Sequence, residues 1–554
     1  MLEKYADDLQ QIETFPSGKL FRLLFDSSVG KLRIVSRSYD AFEHLRDAFS
    51  AENSAAFFVK QYGYRAEPKV YAINKFGYFG SGLVWEVLKY LKQQYGDLSQ
   101  VAISKQCKMF LDEQLTPLKT YVKKMQLDNW TIANISDDSG RNAERKQQGK
   151  PAYEFRDYQE NSIKQLLLKG YGRGLIEIPT AGGKSFILAN FCWNLHKQYS
   201  RNLKYLLLVP NKQLVNQMYS DFIDYGYDKH LLTKFTAGLK DIEKYNLEAE
   251  IIIANRQYVF KNEKLLPKVD VLICDECHQC CSEATMSFIE RVEAPVKIGC
   301  SGTIPRDKMN RWKLLGMFSQ IVCTEDIVDL QNRGFISSLK ITALKIVDSV
   351  VEADTSCLFN LHTTRKFRPD ENGYSDIAFD EANKAEGEYF SKHYKDLYKP
   401  VFEHLKKLGS NTLILFDRID IGQNLFEYAK ELYADEKNVY YIDGSIDVNE
   451  RERVRASFEK SDGNLLLAQS SIMSTGVNIK RLTNLIFLTG SKSFSRVIQS
   501  IGRTLRLHDS KTEAHVIDVS WNFKYSQRHY KERLKLYKDM YHKSKPDEQL
   551  TFTI

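Results

Sequence analysis

The sequence predicts an α/β protein in which two parallel-sheet lobes follow a small α+β domain. Three observations lead there: short apolar runs alternate with helical stretches after residue 152, the same rhythm restarts past residue 396, and a different mixture of elements precedes a polar stretch at 136–152. A chain of 554 residues is too long for one ordinary core, and a domain for every ~150 residues gives three or four units. Hydrophobic content of 43% with 27% charged residues is a normal globular balance, which excludes a disordered scaffold.

Residues 1–135 form the first unit, the α+β domain. Residues 31–35 alternate like a strand, whereas Phe42, Leu45 and Phe49, and later Leu83, Val84, Val87, Leu88 and Leu91, recur at helical spacing. The stretch SDDSGRNAERKQQGK has no apolar residue except Ala143, so 136–152 reads as a linker between separately folding parts. In the first lobe, 153–340, strand-like runs fall at 174–178, 205–209, 251–254, 269–274 and 296–299. Short buried strands separated by helices make a parallel sheet covered on both faces.

Residues 341–395 connect the lobes, and within them 349–380 sustain no period and carry no assignable role. The second lobe, 396–524, has its runs at 412–416, 439–442, 465–468, 485–488 and 514–519. The tail, 525–554, reads as a basic helix on which Tyr530, Leu534, Tyr537 and Tyr541 form one aromatic stripe. That stripe either docks on the second lobe or contacts nucleic acid. Both readings stay open.

A formal charge of +8 leans only weakly toward a polyanionic partner. No apolar run approaches a membrane span, and the first residues lack a basic-then-apolar signal, so a soluble protein is expected, in the cytoplasm, or in the host-cell cytoplasm if phage-encoded. Nine scattered cysteines argue for a reducing compartment. Cys274, Cys277, Cys280 and Cys281 crowd around His278, where a zinc site competes with buried thiols at a strand end; no second ligand pair stands at structural-zinc spacing.

The chemistry concentrates in a few segments. IEIPTAGGKSFILA puts an apolar strand before a loop, Pro179, Thr180, Ala181, Gly182 and Gly183, and an apolar helix after it. Such a loop cradles phosphates on backbone N–H groups at a helix N-terminus, with Lys184 on β/γ oxygens and Ser185 on magnesium. Ile178 replaces the first glycine of the general pattern. Further on, VDVLICDECH ends a second strand in Asp275, Glu276, Cys277 and His278. One carboxylate can hold the magnesium bound to ATP, and its neighbour can orient and deprotonate the attacking water.

In this order the segments resemble the superfamily 2 helicases, whose two lobes are RecA-like. The resemblance places Lys184 and Ser185 in motif I, and Asp275, Glu276 and His278 in motif II. It puts Arg156 and Gln159 of FRDYQ on the adenine-recognising positions, and Ser301, Gly302 and Thr303 on the motif that relays between ATP and nucleic acid. Asn211 falls in motif Ia and Gln257 where a nucleic-acid contact is expected. In the second lobe, Ser474, Thr475 and Gly476 resemble motif V, the first two as nucleic-acid contacts and Gly476 at the nucleotide. QSIGRTLR resembles motif VI through Gln499, Gly502, Arg503 and Arg506, the arginines stabilising charge on the γ-phosphate. Ser500 stands where the family often has another arginine, which weakens the analogy with DEAD-box RNA helicases.

Across nearly the whole chain the sequence resembles the phage UvsW-type helicases, recombination motors acting on branched DNA, and the likeness extends to SYDAFEHLRDAFS and KVYAINKFGYFGSGLVWEVLKYLKQQYG before the lobes. It implies an ATP- and Mg2+-dependent DNA helicase of recombination, repair and fork processing, with branched or duplex DNA as partner. It also implies that Lys75 and its cationic neighbours in the N-terminal domain bind DNA rather than solvent. Three rivals remain: an RNA or RNA–DNA hybrid helicase; a non-catalytic ATP-gated DNA clamp, against which Glu276 and Arg506 stand; and a zinc-dependent binding module built on the cysteine cluster.

Overall fold

The structure, a computed structural model, describes residues 15–29, 31–53, 67–119, 131–198, 203–237, 246, 248–348, 389–433, 437–473, 479, 481–488, 497, 501–502, 504–505, 507 and 513–553. Ser474, Thr475, Gly476, Gln499, Arg503 and Arg506 lie outside the described residues, as does the connecting stretch 349–388.

The N-terminal domain is built on strands β1 (Phe21–Asp26), β2 (Lys31–Ser36), β5 (Tyr78–Phe79) and β6 (Val101–Ile103), in the order β5-β2-β1-β6, with a separate pair of β3 (Ser50–Glu52) and β4 (Lys69–Tyr71). Alternation along β1 and β2 sends Phe21, Leu23, Leu32 and Ile34 into the core, where they are fully buried. The helices expected from the 3.6-residue spacing are Tyr39–Ala48, whose Ser38 cap accepts from Ala41 N, and Val84–Tyr95. Their buried residues, Phe42, Leu45, Val87, Leu88 and Leu91, close the same core.

That core does not end with the domain. It runs on through Phe49 and Leu83 into Leu314, Leu315 and Phe318 of the first lobe's helix Lys308–Phe318. Phe49 and Trp312 rings meet at 5.3 Å, and Lys31 pairs with Glu290 at 3.2 Å. Gly80 and Gly82 make the contact possible: a Cβ on Gly80 would stand 2.8 Å from Gly316 Cα, and one on Gly82 would fall onto the Leu315 carbonyl. These glycines serve packing between domain and lobe.

The stretch 136–152, expected as a linker, is instead two short helices, Ile135–Asp138 and Arg141–Gln147, stapled to the first lobe. Asn190 Oδ1 accepts from Ile135 N at 2.9 Å, Asn194 Oδ1 from Ala133 N at 2.9 Å, and Ser136 Oγ donates to Tyr225 O at 2.8 Å. Polarity there is spent on hydrogen bonds to neighbouring helices, which composition alone cannot distinguish from solvation. The domain and the first lobe, apart from the loop Pro179–Gly183, accordingly belong to one compact unit, and Glu325–Ile554 to a second.

The first lobe's sheet contains β7 (Arg173–Glu177), β8 (Tyr205–Val209), β9 (Leu232–Phe235), β10 (Ile251–Asn255), β11 (Val271–Asp275), β12 (Val296–Ser301) and β13 (Ile321–Thr324), ordered β13-β7-β12-β11-β8-β10-β9 with every pair parallel. The second sheet contains β14 (Ser338–Val347), β15 (Thr412–Phe416), β16 (Val439–Ile442), β17 (Leu465–Gln469), β18 (Asn484–Phe487), β19 (Glu513–Trp521) and β20 (Glu548–Thr553), ordered β16-β17-β15-β18-β19-β14-β20 and again all parallel. Two expectations shift. Residues 341–347 are not a connection, because β14 pairs with β19 along its length, and the tail adds edge strand β20 after its helix.

That helix, Lys524–Tyr541, docks by its aromatic stripe: Tyr537 and Tyr541 are buried. Arg533 goes in with them and forks onto Asp518 of β19, Nη2 to Oδ1 at 2.7 Å and Nε to Oδ2 at 2.9 Å, while Tyr537 donates to Oδ2 at 2.6 Å. Burial works against the guanidinium's charge, and the Asp518 carboxylate more than restores it.

Arg533→Ala should cost the second unit roughly 3–5 kcal/mol, because it strands a buried carboxylate. Gly82→Val should lower the first unit's stability by roughly 1–3 kcal/mol through overpacking. Urea titrations read both; an unchanged midpoint for either variant would contradict the packing described.

Candidate nucleotide site

Because the strands of the first sheet are parallel, their C-terminal ends share one edge, and loops leaving it from distant parts of the chain meet. β7 is followed by Ile178, whose N–H still pairs with Ser301 O at 3.0 Å, and then by the loop 179–183. In that loop Gly182 N donates to Pro179 O at 2.9 Å, and Ala181 and Gly183 take left-handed φ values of 72° and 79°. A left-handed alanine is strained by roughly 1–2 kcal/mol. Such alternation in backbone handedness forms concavities that bind anions. Lys184 opens the helix Lys184–Gln198, so its first turn adds a helix N-terminus.

β11 delivers Asp275 and Glu276 to the same edge. Lys184 Nζ stands 3.6 Å from Glu276 Oε1, with side chains 11% and 16% exposed. Glu276 takes a left-handed φ of 49° as the strand turns into Cys277–Cys280. Its other oxygen lies 3.3 Å from His278 Nδ1, which also meets Ser301 Oγ at 2.9 Å. Ser301 Oγ donates to Thr303 O at 2.7 Å and accepts from Thr303 N at 3.1 Å. With its one proton so committed, Ser301 accepts from His278, which assigns the Nδ1–H tautomer. A close contact from Glu276 to His278 and hydrogen bonds from His278 through Ser301 to Thr303 thus form one chain joining the ends of β11 and β12.

Burial and then the Glu276 charge push the Asp275 carboxyl up to about 7, with Lys184 opposing. Two carboxylates and one ammonium form a donor set short of positive charge, and a divalent cation fits it. Ser185 Oγ lies 2.9 Å from Tyr225 OH and keeps acceptor capacity for that ion.

The remaining expected residues divide. Gln159 is buried, and its Oε1 accepts from Arg156 N at 3.0 Å, reaching back to satisfy the amide that precedes the helix Asp157–Leu168. Asn211 caps the helix Lys212–Tyr225 by accepting from Leu214 N at 2.9 Å. Gln257 and Lys75 are exposed; Lys75 lies over the Phe76 ring at 5.2 Å, on a turn that Asn74 Oδ1 fixes by accepting from Phe76 N and Tyr78 N. Gly77, with φ 85°, shapes this turn against Ile34. Cys274, Cys277 and Cys280 are buried thiols, and no group of three or more His, Cys, Asp and Glu placed to hold a metal ion occurs among the described residues. Sequence reasoning passed over Glu177, which accepts from Ile304 N at 2.8 Å and ties the end of β7 to the segment after β12. An acid closing an otherwise apolar strand was the available signal. Tyr225, beside Ser185, gave none.

Residues 152–306 match the family described as the type III restriction enzyme, res subunit, and residues 393–508 match the helicase conserved C-terminal domain. The chain is a superfamily 2 helicase. Members of that family hydrolyse ATP, and this helicase carries both of their domains in order. It is 28% identical over 367 residues to the ATP-dependent DNA helicase uvsW of Enterobacteria phage T4, covering 65% of this chain and 67% of that one. Similarity to putative helicase 22 of a Sulfolobus islandicus filamentous virus is 23% over 396 residues, 67% of this chain and 65% of that one. The helicase thus spans about two thirds of the length of each relative. Among solved structures, the ATP-dependent type ISP restriction-modification enzyme LlaBIII bound to DNA superposes with a TM-score of 0.51 at 14% identity, over 73% of this chain and 31% of that one, a likeness of fold. No helix among the described residues is long and apolar enough to cross a membrane.

Ser301→Ala should break the chain from Glu276 to Thr303 while leaving Lys184 and the loop untouched. The expected outcome is an ATP KM within about twofold of wild type, with most of the stimulation of turnover by nucleic acid lost. Loss of ATP binding instead would place Ser301 in the phosphate cradle.

Proposed function

We propose that the helicase is an ATP-driven motor that moves along duplex or branched DNA and unwinds or branch-migrates it. The observation that carries the reading is the meeting of Lys184, Asp275, Glu276 and the His278–Ser301–Thr303 chain at one sheet edge. The choice of DNA rests on the T4 relative, named an ATP-dependent DNA helicase.

In this reading the loop amides and Lys184 bind the phosphates of ATP, Glu276 orients the attacking water and takes its proton, and Arg503 and Arg506 stabilise charge on the γ-phosphate. Magnesium, held by Ser185 and Asp275, would polarise the phosphate oxygens. The Glu276 to Thr303 chain reports the state of that carboxylate to the segment after β12, toward nucleic acid. Grip is on the phosphate backbone, through residues that include Lys75 and Gln257 and, in motif V, Ser474 and Thr475, so little base preference is expected. Asn211 is kept to its capping role.

Turnover measured with no nucleic acid and with matched linear, forked and four-way DNAs and RNAs decides the substrate, and stimulation by RNA alone would overturn the DNA reading. Glu276→Gln should lower turnover by ~10² to 10⁴ while sparing ATP affinity, as expected for loss of a general base. Arg506→Ala should slow hydrolysis by up to ~10³ to 10⁵ with ATP still bound. Wild-type turnover in Glu276→Gln would remove Glu276 from the chemistry.

A further inference from the structure

At the opposite edge of the first sheet lies a second charged place that the nucleotide reading does not use. Arg173 opens β7, and its cross-strand partner on β12 is Lys297, so the two side chains share a face. They are only 4% and 5% exposed. Like charges placed directly opposite destabilise a sheet, and buried charges ordinarily have a counter-charge. Among the described residues, neither has a carboxylate within ion-pair distance.

What they do have is neutral. Lys297 Nζ donates to Ile289 O at 2.7 Å and Arg173 Nε to Pro295 O at 3.3 Å, around the end of helix Glu283–Arg291. Arg173 Nη1 is buried with no partner. Glu290, the acid that does act on Lys297, is engaged by Lys31. Burial and then the neighbouring Arg173 push the Lys297 ammonium down to about 7.

Both cations line a cavity of about 890 Å³ between the N-terminal domain and the first lobe. Its walls include Phe25 and Phe110, stacked at 4.2 Å, and Met317. The size is that of a small-molecule pocket. Because β7 runs from Arg173 toward the loop before Lys184, the cavity and the nucleotide site sit at the two ends of one strand.

We propose that this cavity binds a phosphate monoester carried on an apolar or aromatic body, its dianionic head on Arg173 and Lys297 and its body against Phe25, Phe110 and Met317. Two cations match the charge of such a head, and the unpartnered guanidinium nitrogen gains an acceptor. Bound there, the ligand joins the domain to the lobe.

The test is isothermal calorimetry on the full chain with phenyl phosphate as the probe and inorganic phosphate beside it. Saturable binding of phenyl phosphate is expected, at least tenfold tighter than inorganic phosphate. Arg173→Met should weaken it at least tenfold, and Lys184→Ala should leave it within twofold, since that lysine belongs to the other edge. Absent binding, binding retained in Arg173→Met, or binding lost in Lys184→Ala would each overturn the proposal. If Arg173→Met fails to fold, Met109→Glu decides: this exposed cavity-wall position then carries an acid, and weaker binding supports the site whereas unchanged binding overturns it.

Discussion

Parallel pairing governs this molecule, because it sends every strand of a sheet toward the same edge and leaves the crossovers to cover the faces. From that one constraint follow the buried, uninterrupted apolar strands, such as β8 and β11, and the convergence of side chains far apart in sequence. Lys184 and Glu276 stand 3.6 Å apart because β7 and β11 flank β12 and end together, while Ser301, ending β12 itself, supplies the group that His278 reaches. The site is therefore a consequence of strand order β7-β12-β11, with the helix Lys184–Gln198 adding its N-terminus.

The same constraint explains which parts of the fold were legible. Central strands are buried on both faces, so they appear in the sequence as short apolar runs, and those runs coincide with β7, β8, β10, β11 and β12 and with β15 to β19. Of the four edge strands of the two sheets, β16 reads as a run and the other three escape. β9 and β13 are four-residue pieces at the two ends of the first sheet, and β20 at the end of the second alternates half-buried with exposed. β14 was hidden differently, since Lys340 and Lys345 break its apolar run even though it pairs on both sides. Loops that bind phosphate show themselves through residue types, and Lys184, Ser185, Asp275 and Glu276 could be picked out at once. Tyr225 could not, because its place beside Ser185 exists only after the helices have packed.

Polar composition proved the weakest guide to domain separation. The stretch after Asn134 has the residues of a solvated spacer, but Asn190 and Asn194 on a buried helix face accept the amides of Ile135 and Ala133 where it begins, and Trp193 donates to Asp138 at 2.6 Å. Two buried asparagines in the apolar helix ANFCWN were the counter-signal: their N–H groups donate to carbonyls of their own helix, but their side-chain oxygens need donors from outside it. In the N-terminal domain, likewise, Gly80 and Gly82 look suited to approach a nucleic-acid backbone, and they do approach a backbone, that of the helix Lys308–Phe318. A glycine states that something comes close without stating what. The domain is therefore fused to the motor, and any DNA it holds through the exposed Lys75 turn is held rigidly with respect to the first lobe.

Buried charge is handled in three ways, and the differences separate structure from function. Arg533 and Asp518 neutralise each other with forked geometry and a tyrosine hydroxyl, and the pair fixes the tail helix to β19. Lys184, Asp275 and Glu276 are incompletely balanced, one cation against two acids, which suits a site completed by a phosphate and a divalent ion. Arg173 and Lys297 are unbalanced in the opposite sense, two cations and no paired acid among the described residues. Packing alone would favour replacing such a pair with apolar side chains of similar volume, since buried ions without counter-charges cost stability. Their presence beneath an open cavity, at the sheet edge opposite the nucleotide, is what an anion arriving from solvent would account for.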